Sequence, residues 1–132
     1  MQSVLDTHAW FWSLTDPDQL PAKVRAALEN PRNAPFGLAA ISLWELAKLV
    51  EKARITLTIP LAEWIRRATD PDLITILPLT EQVAVDSTTL PGNFRSDPAD
   101  ELIIATTRLH DATLITADRK ILAYGSVKTL WQ

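Results

Sequence analysis

The sequence predicts an α/β fold, a three-layer α/β/α sandwich with a mostly parallel central sheet of four to five strands. Three observations predict it. Short apolar runs alternate with helix-length amphipathic stretches, the pattern of repeated strand–helix–strand units. The runs carry little polar alternation, as strands covered on both faces require. Nine prolines fall mostly between the runs and so mark element boundaries. A chain of 132 residues, 47% of them hydrophobic, fits a single domain over 1–132 with a real core.

The elements follow in order. Val4-Leu5 is a short apolar strand that stops at Asp6. Ala9 to Leu14 is apolar nearly all round and predicts a short buried helix, broken by Asp16-Pro17-Asp18. Pro21 suits the first turn of a second helix reaching Glu29, with Val24, Ala27 and Leu28 on one side. Phe36 to Leu38 predicts a brief strand. Ser42 then suits an N-cap, with Glu45 at capping-box spacing, and Leu43, Leu46, Ala47, Val50 and Ala53 form the stripe of an amphipathic helix. Pro60 introduces a helix over Leu61 to Ala68. Ile74 to Leu77 is strand-like, and Thr80-Glu81 opens a helix through Val83, Ala84 and Ser87. Asp97-Pro98-Ala99-Asp100 starts a helix running to about His110, with Asp97 as N-cap and Pro98 at the first helical position. Thr113 to Thr116 is a β-branched strand, Asp118 starts a short helix through Ile121-Leu122, and Val127 to Leu130 is a last strand.

Composition narrows the function. Lys and Arg total 13 and Asp and Glu 16, a formal net charge of 13 − 16 = −3. A basic coat is excluded, so any nucleic acid must be met through a local patch or a bound cation. With no cysteine there is no disulfide scaffold and no thiolate metal site, a composition compatible with a reducing cytosol. No apolar run approaches the ~20 residues of a membrane span, and Met1 to Asp6 lacks the basic and apolar regions of a signal peptide.

Four acids stand out by position. Asp6 ends the first strand and Asp118 follows the Thr113–Thr116 strand, so both are expected beyond the carboxyl ends of parallel strands, where α/β sheets form their sites. Asp100 lies in the first turn of its helix, and Glu45 beside the apolar stripe of another. Each has a structural explanation too: Asp6 and Asp118 as helix caps, Asp100 as part of a helix start, Glu45 in a capping box with Ser42 or paired with Lys48. Gathered in one crevice, however, carboxylates repel one another and need cations. Oxygen-only donors, with no histidine pair at ligand spacing, point to Mg²⁺ or Mn²⁺. Arg95, Lys48 and Lys52 are the bases nearest these acids in sequence and the candidates for substrate phosphates. Trp10 and Trp12 sit in a densely apolar segment and read as core or dimer packing; Trp44 beside Glu45 reads as groove or interface. Gly37, Gly92 and Gly125 stand alone, so no glycine-rich phosphate loop is present.

Val4-Leu5-Asp6-Thr7-His8-Ala9, Ile41-Ser42-Leu43-Trp44-Glu45-Leu46, Asp97-Pro98-Ala99-Asp100, Ile104-Ala105-Thr106 and Leu114-Ile115-Thr116-Ala117-Asp118 follow one another along nearly the whole chain. This ordered set resembles the motifs of the PIN-domain ribonuclease family, and within it the VapC-type toxins of bacterial toxin–antitoxin pairs. The resemblance implies a PIN-like sandwich and a metal-dependent endoribonuclease of the bacterial cytoplasm, cutting RNA with a metal-activated water. Its principal acids map to Asp6, Glu45, Asp100 and Asp118, holding Mg²⁺ or Mn²⁺. Thr116 matches the hydroxyl supporting the metal-bound water, and Asp97 and Thr7 match auxiliary positions. The resemblance also implies a homodimer inhibited by a VapB-like antitoxin, in a toxin–antitoxin hetero-oligomer. The chain departs from the family pattern at Arg95-Ser96, where relatives often carry His-Gly, at Glu101, where they usually carry Arg, and at Ala53, often Gly. Two other readings stay open: a PIN-like binding module with a weakened metal site, and a small Mg²⁺-dependent phosphohydrolase or receiver-like domain.

Overall fold

The computed structural model describes residues 2–132. Five strands form one sheet: β1 (Ser3–Leu5), β2 (Phe36–Ala39), β3 (Ile74–Leu77), β4 (Thr113–Ile115) and β5 (Lys128–Leu130). Their order is β3-β2-β1-β4-β5 and every pairing is parallel. Seven α-helices cover the sheet among the described residues: α1 (Thr7–Thr15), α2 (Ala22–Glu29), α3 (Ala40–Glu51), α4 (Leu61–Ala68), α5 (Glu81–Asp86), α6 (Pro98–Leu109) and α7 (Arg119–Leu122).

The predicted sandwich follows from alternation along each strand. Val4 and Leu114 face a layer that includes Val83 of α5, Ile103 and Ile104 of α6 and Ile121 of α7. Their neighbours Leu5 and Ile115 face the opposite layer, with Trp10 of α1, Val24 of α2, Leu46 of α3 and Ala68 of α4. All of these residues except Ala68 are essentially inaccessible, so both strands read as unbroken apolar runs for the expected reason.

Register fixes the top of the sheet. Leu5 stands beside Leu38 on one side and Ile115 on the other. The Asp6 N–H donates to the Ile115 carbonyl at 2.9 Å, which carries the alignment one residue past the strand ends. From β1 the chain winds outward through β2 and β3, then returns to lay β4 on the other flank of β1. The carboxyl ends of β1 and β4 therefore bound the switch point, where doubly wound sheets open a crevice.

Two expectations about helices need correction. Ser42 is not an N-cap and forms no capping box with Glu45. Helix α3 grows straight out of β2 with Ala39 as its cap residue, leaving Ser42 in the first turn, fully buried and accepting a 2.8 Å hydrogen bond from the Thr7 hydroxyl. Helix α1 is not buried all round either: Ala9 and Trp10 are buried, whereas Leu14 is 49% exposed. The Trp10 indole N–H donates to the Ala68 carbonyl at 2.9 Å, fastening α1 to the end of α4. Its ring also packs edge-on against Trp64.

Trp10→Phe should therefore destabilise the chain by about 2 kcal/mol, since a buried carbonyl loses its donor and the ring shrinks. Leu14→Ser, at an exposed site, should change stability by less than about 0.5 kcal/mol. Urea unfolding of the two variants beside the parent chain measures both.

Candidate active site

Five carboxylates meet at the switch point. Asp6, Glu45, Asp97, Asp100 and Asp118 line one crevice. Each arrives through local structure. Asp6 is the first residue past β1 and caps α1, its Oδ1 accepting from the Thr7 N–H at 2.8 Å. Its Oδ2 accepts from the Thr116 hydroxyl at 2.7 Å, and the Thr116 oxygen in turn accepts from the Asp118 N–H at 3.1 Å. Asp118 caps α7, accepting from the N–H groups of Lys120 and Ile121. Asp97 caps α6, accepting from the Asp100 N–H at 2.9 Å, and Asp100 accepts from the Ser96 hydroxyl at 2.8 Å. Glu45 comes from the second turn of α3. The closest group is Glu45, Asp97 and Asp100, whose carboxylate oxygens lie within 4.8 Å of one another.

His8 is the one basic side chain facing these charges, and it favours the ionised forms of Asp6 and Glu45. Among the described residues, none of the five acids is in a salt bridge, and no Lys or Arg lines the crevice. Burial, with the Asp118 charge adding to it, raises the pKa of Asp6 against the opposing hydrogen bonds of Thr116 and Thr7. Burial also raises Glu45, with Asp6 and Asp97 contributing, while the nearby Thr7 side chain and the His8 ring oppose. Asp100 is pushed up to about 7, by desolvation first and then by Asp97, Asp6 and Asp118, although Ser96 pulls the other way. Oxygen-only donors, closely spaced and lacking any Lys or Arg partner, are the donor chemistry of a hard divalent cation.

The positions predicted from sequence thus come together in part. Asp6, Glu45, Asp100 and Asp118 share the crevice, with Thr116 and Thr7 behind Asp6. Asp97, expected in an auxiliary place, stands within the closest trio while also capping its helix. Glu45 does not pair with Lys48, because the Lys48 ammonium turns to Glu51 at 2.9 Å and lies over the Trp44 ring. Lys52 and Arg95 are exposed and outside the crevice lining. Glu101 is held away by the Ser96 N–H, which donates to its carboxylate at 3.0 Å.

Sequence reasoning missed two crevice residues, His8 and Trp12. Trp10 is fully in the core, whereas Trp12, read from the sequence as core or dimer packing, packs partly against the same core layer and also lines the crevice wall. The available signal was spacing. His8 and Trp12 stand four apart on the helix that Asp6 caps, so they share one face.

Comparison with known proteins agrees with this geometry. The PIN domain family model matches residues 3–126. The chain is 34% identical over 130 residues to Ribonuclease VapC22 of Mycobacterium tuberculosis, covering 97% of each chain. Among solved structures it superposes on a chain of VapBC2 from Rickettsia felis, bound to a promoter DNA fragment, with a TM-score of 0.74 at 16% identity over the whole of both chains. It likewise superposes on DNA-bound VapBC from Salmonella typhimurium, with a TM-score of 0.69 at 16% identity over 98% of this chain and 97% of the other. At those identities the structural likeness is one of fold. The family match and the curated relative go further: this chain belongs to the PIN-domain family.

Proposed function

We propose that the chain is a divalent-metal-dependent endoribonuclease, the toxin of a VapBC-type toxin–antitoxin pair. One observation carries the reading: five carboxylates share the crevice at the β1–β4 switch point, with His8 as the single basic side chain and no Lys or Arg among them. The 34% identity to a ribonuclease over nearly the whole chain supports RNA as the polymer cut. The antitoxin-bearing complexes among its structural neighbours support a VapB-like partner. A homodimer, assembled with that antitoxin into a hetero-oligomer, is part of the same proposal.

Glu45, Asp97 and Asp100 would hold Mg²⁺ or Mn²⁺, with Asp6 and Asp118 completing the acidic wall. Once bound, such an ion supplies Lewis acidity at the phosphate and a water acidified for in-line attack. The protein's own work is orientation. Thr116 and the Thr7 N–H fix both oxygens of Asp6, and Ser96 fixes one oxygen of Asp100. The backbone caps hold Asp97 and Asp118 at the starts of α6 and α7. No side chain needs to form a covalent bond to substrate, and hydrolysis consumes one water per phosphodiester cut.

Asp100→Asn and Asp6→Asn should each lower RNA cleavage at least about 100-fold in Mg²⁺ or Mn²⁺. Asn keeps the size of Asp and its ability to cap, so circular dichroism should be unchanged. A time course on labelled RNA decides it, and cleavage retained in Asp100→Asn would overturn the assignment.

Stability should report the same crowding. The folded chain holds the Asp100 proton up to about 7, against an ordinary 3.8, so between those values it binds more protons than the unfolded chain. Metal-free stability should therefore fall as pH rises across that window, with the loss complete above about 7. Thermal melts at about pH 5.5 and about pH 8 should show the drop. Mn²⁺ should reverse it most strongly at the higher pH, and Asp100→Asn should reduce it, leaving the part due to Asp6 and Glu45.

A further inference from the structure

The crevice wall opposite in character to the carboxylates is aromatic. His8 and Trp12 line it from successive turns of α1, their ring centroids 5.6 Å apart. Behind them Trp131, just past β5, packs against Trp12 at 6.1 Å between centroids. The two tryptophans of α1 are used differently. Trp10 is 1% exposed with its indole N–H committed to Ala68. The Trp12 ring is half-buried, and among the described residues its indole N–H has no hydrogen-bond partner of the kind that holds Trp10. The Trp12 ring thus rests partly on the core layer, with Trp131 beside it, and also lines the crevice.

Charge says what such a ring is for. A crevice walled by five acids repels a polyanion, and no Lys or Arg lines it to help. A bound cation would recruit one phosphate, and within the crevice further affinity for the strand would come from contacts other than Lys or Arg. Every nucleobase offers a π-face, and stacking on an aromatic side chain adds affinity without adding charge. We propose that Trp12, with His8 one turn before it, is the platform on which a base beside the cleaved phosphate stacks. The assignment rests on the RNA-hydrolase reading above and adds to it a binding residue outside the acidic set.

The test crosses a protein change with a substrate change. In an Asp118→Asn background, which suppresses cleavage, the affinity of a labelled 12-nucleotide single-stranded RNA of mixed sequence is compared with that of an abasic strand of equal length. Fluorescence anisotropy in Mn²⁺ reads both. Stacking predicts that the base-bearing strand binds tighter by roughly 5- to 150-fold. Trp12→Leu should remove most of that preference and leave the abasic strand within about twofold, while Trp12→Phe keeps it. In the cleaving parent, Trp12→Leu should raise KM more than it lowers kcat. Equal weakening of both strands would mean that Trp12 only supports the fold, and would overturn the proposal. So would a preference that survives Trp12→Leu, which would leave the aromatic face to a protein partner. Should Trp12→Leu not fold, Trp12→Met, longer and more adaptable than Leu and without a π-face, takes its place. A parent that binds neither strand and cuts no RNA would instead remove the RNA-hydrolase reading itself.

Discussion

Crowding of like charge is the constraint on which the rest of this molecule depends. Burial first, and the neighbouring carboxylates after it, raise the pKa of Asp6, Glu45 and Asp100 above the ordinary range. A fold bent only on stability would place a lysine or arginine among them. This one spends its ion pairs elsewhere, on exposed contacts such as Lys48 with Glu51 and Arg67 with Glu63. Neutralisation is thus left largely to something outside the chain, and oxygen-only donors of this kind would suit a hard divalent cation.

The topology makes that arrangement inexpensive in sequence. β1 and β4 are neighbours in the sheet although about a hundred residues separate them, and their ends are level. Whatever follows each strand must meet at the same rim. Asp6 and Asp118 need only the first positions after their strands; Asp97 and Asp100 need only the start of α6. Glu45 alone depends on packing, because it must turn inward from α3. The buried hydrogen bond between Thr7 and Ser42 joins the start of α1 to the first turn of α3, next to both of these acids.

Much of this was legible in the chain. Local signals located most of the strands and helices: the proline before α4, the threonine cap of α5 and the Asp-Pro start of α6 all stand where they were expected. The failures share a cause. Ser42 and Glu45 have the spacing of a capping box, yet the strand runs into the helix without a loop, and no local rule encodes that continuity. Trp10 and Trp12 look alike in sequence because hydrophobicity is their only one-dimensional property. Which of them enters the core fully depends on α4, more than fifty residues away, whose terminal carbonyl receives the Trp10 N–H. The acids were found through their order and strand-end positions, whereas their mutual distances are a product of folding.

Asp6, Asp97 and Asp118 each begin a helix as well as facing the crevice. Architecture and chemistry therefore draw on the same side chains, but on different properties of them: capping needs an oxygen acceptor, while cation binding needs charge. Asparagine satisfies the first and fails the second. A lineage that exchanged these aspartates for their amides would keep its helix starts, and with them its scaffold, yet lose the charge on which any grip on a cation depends.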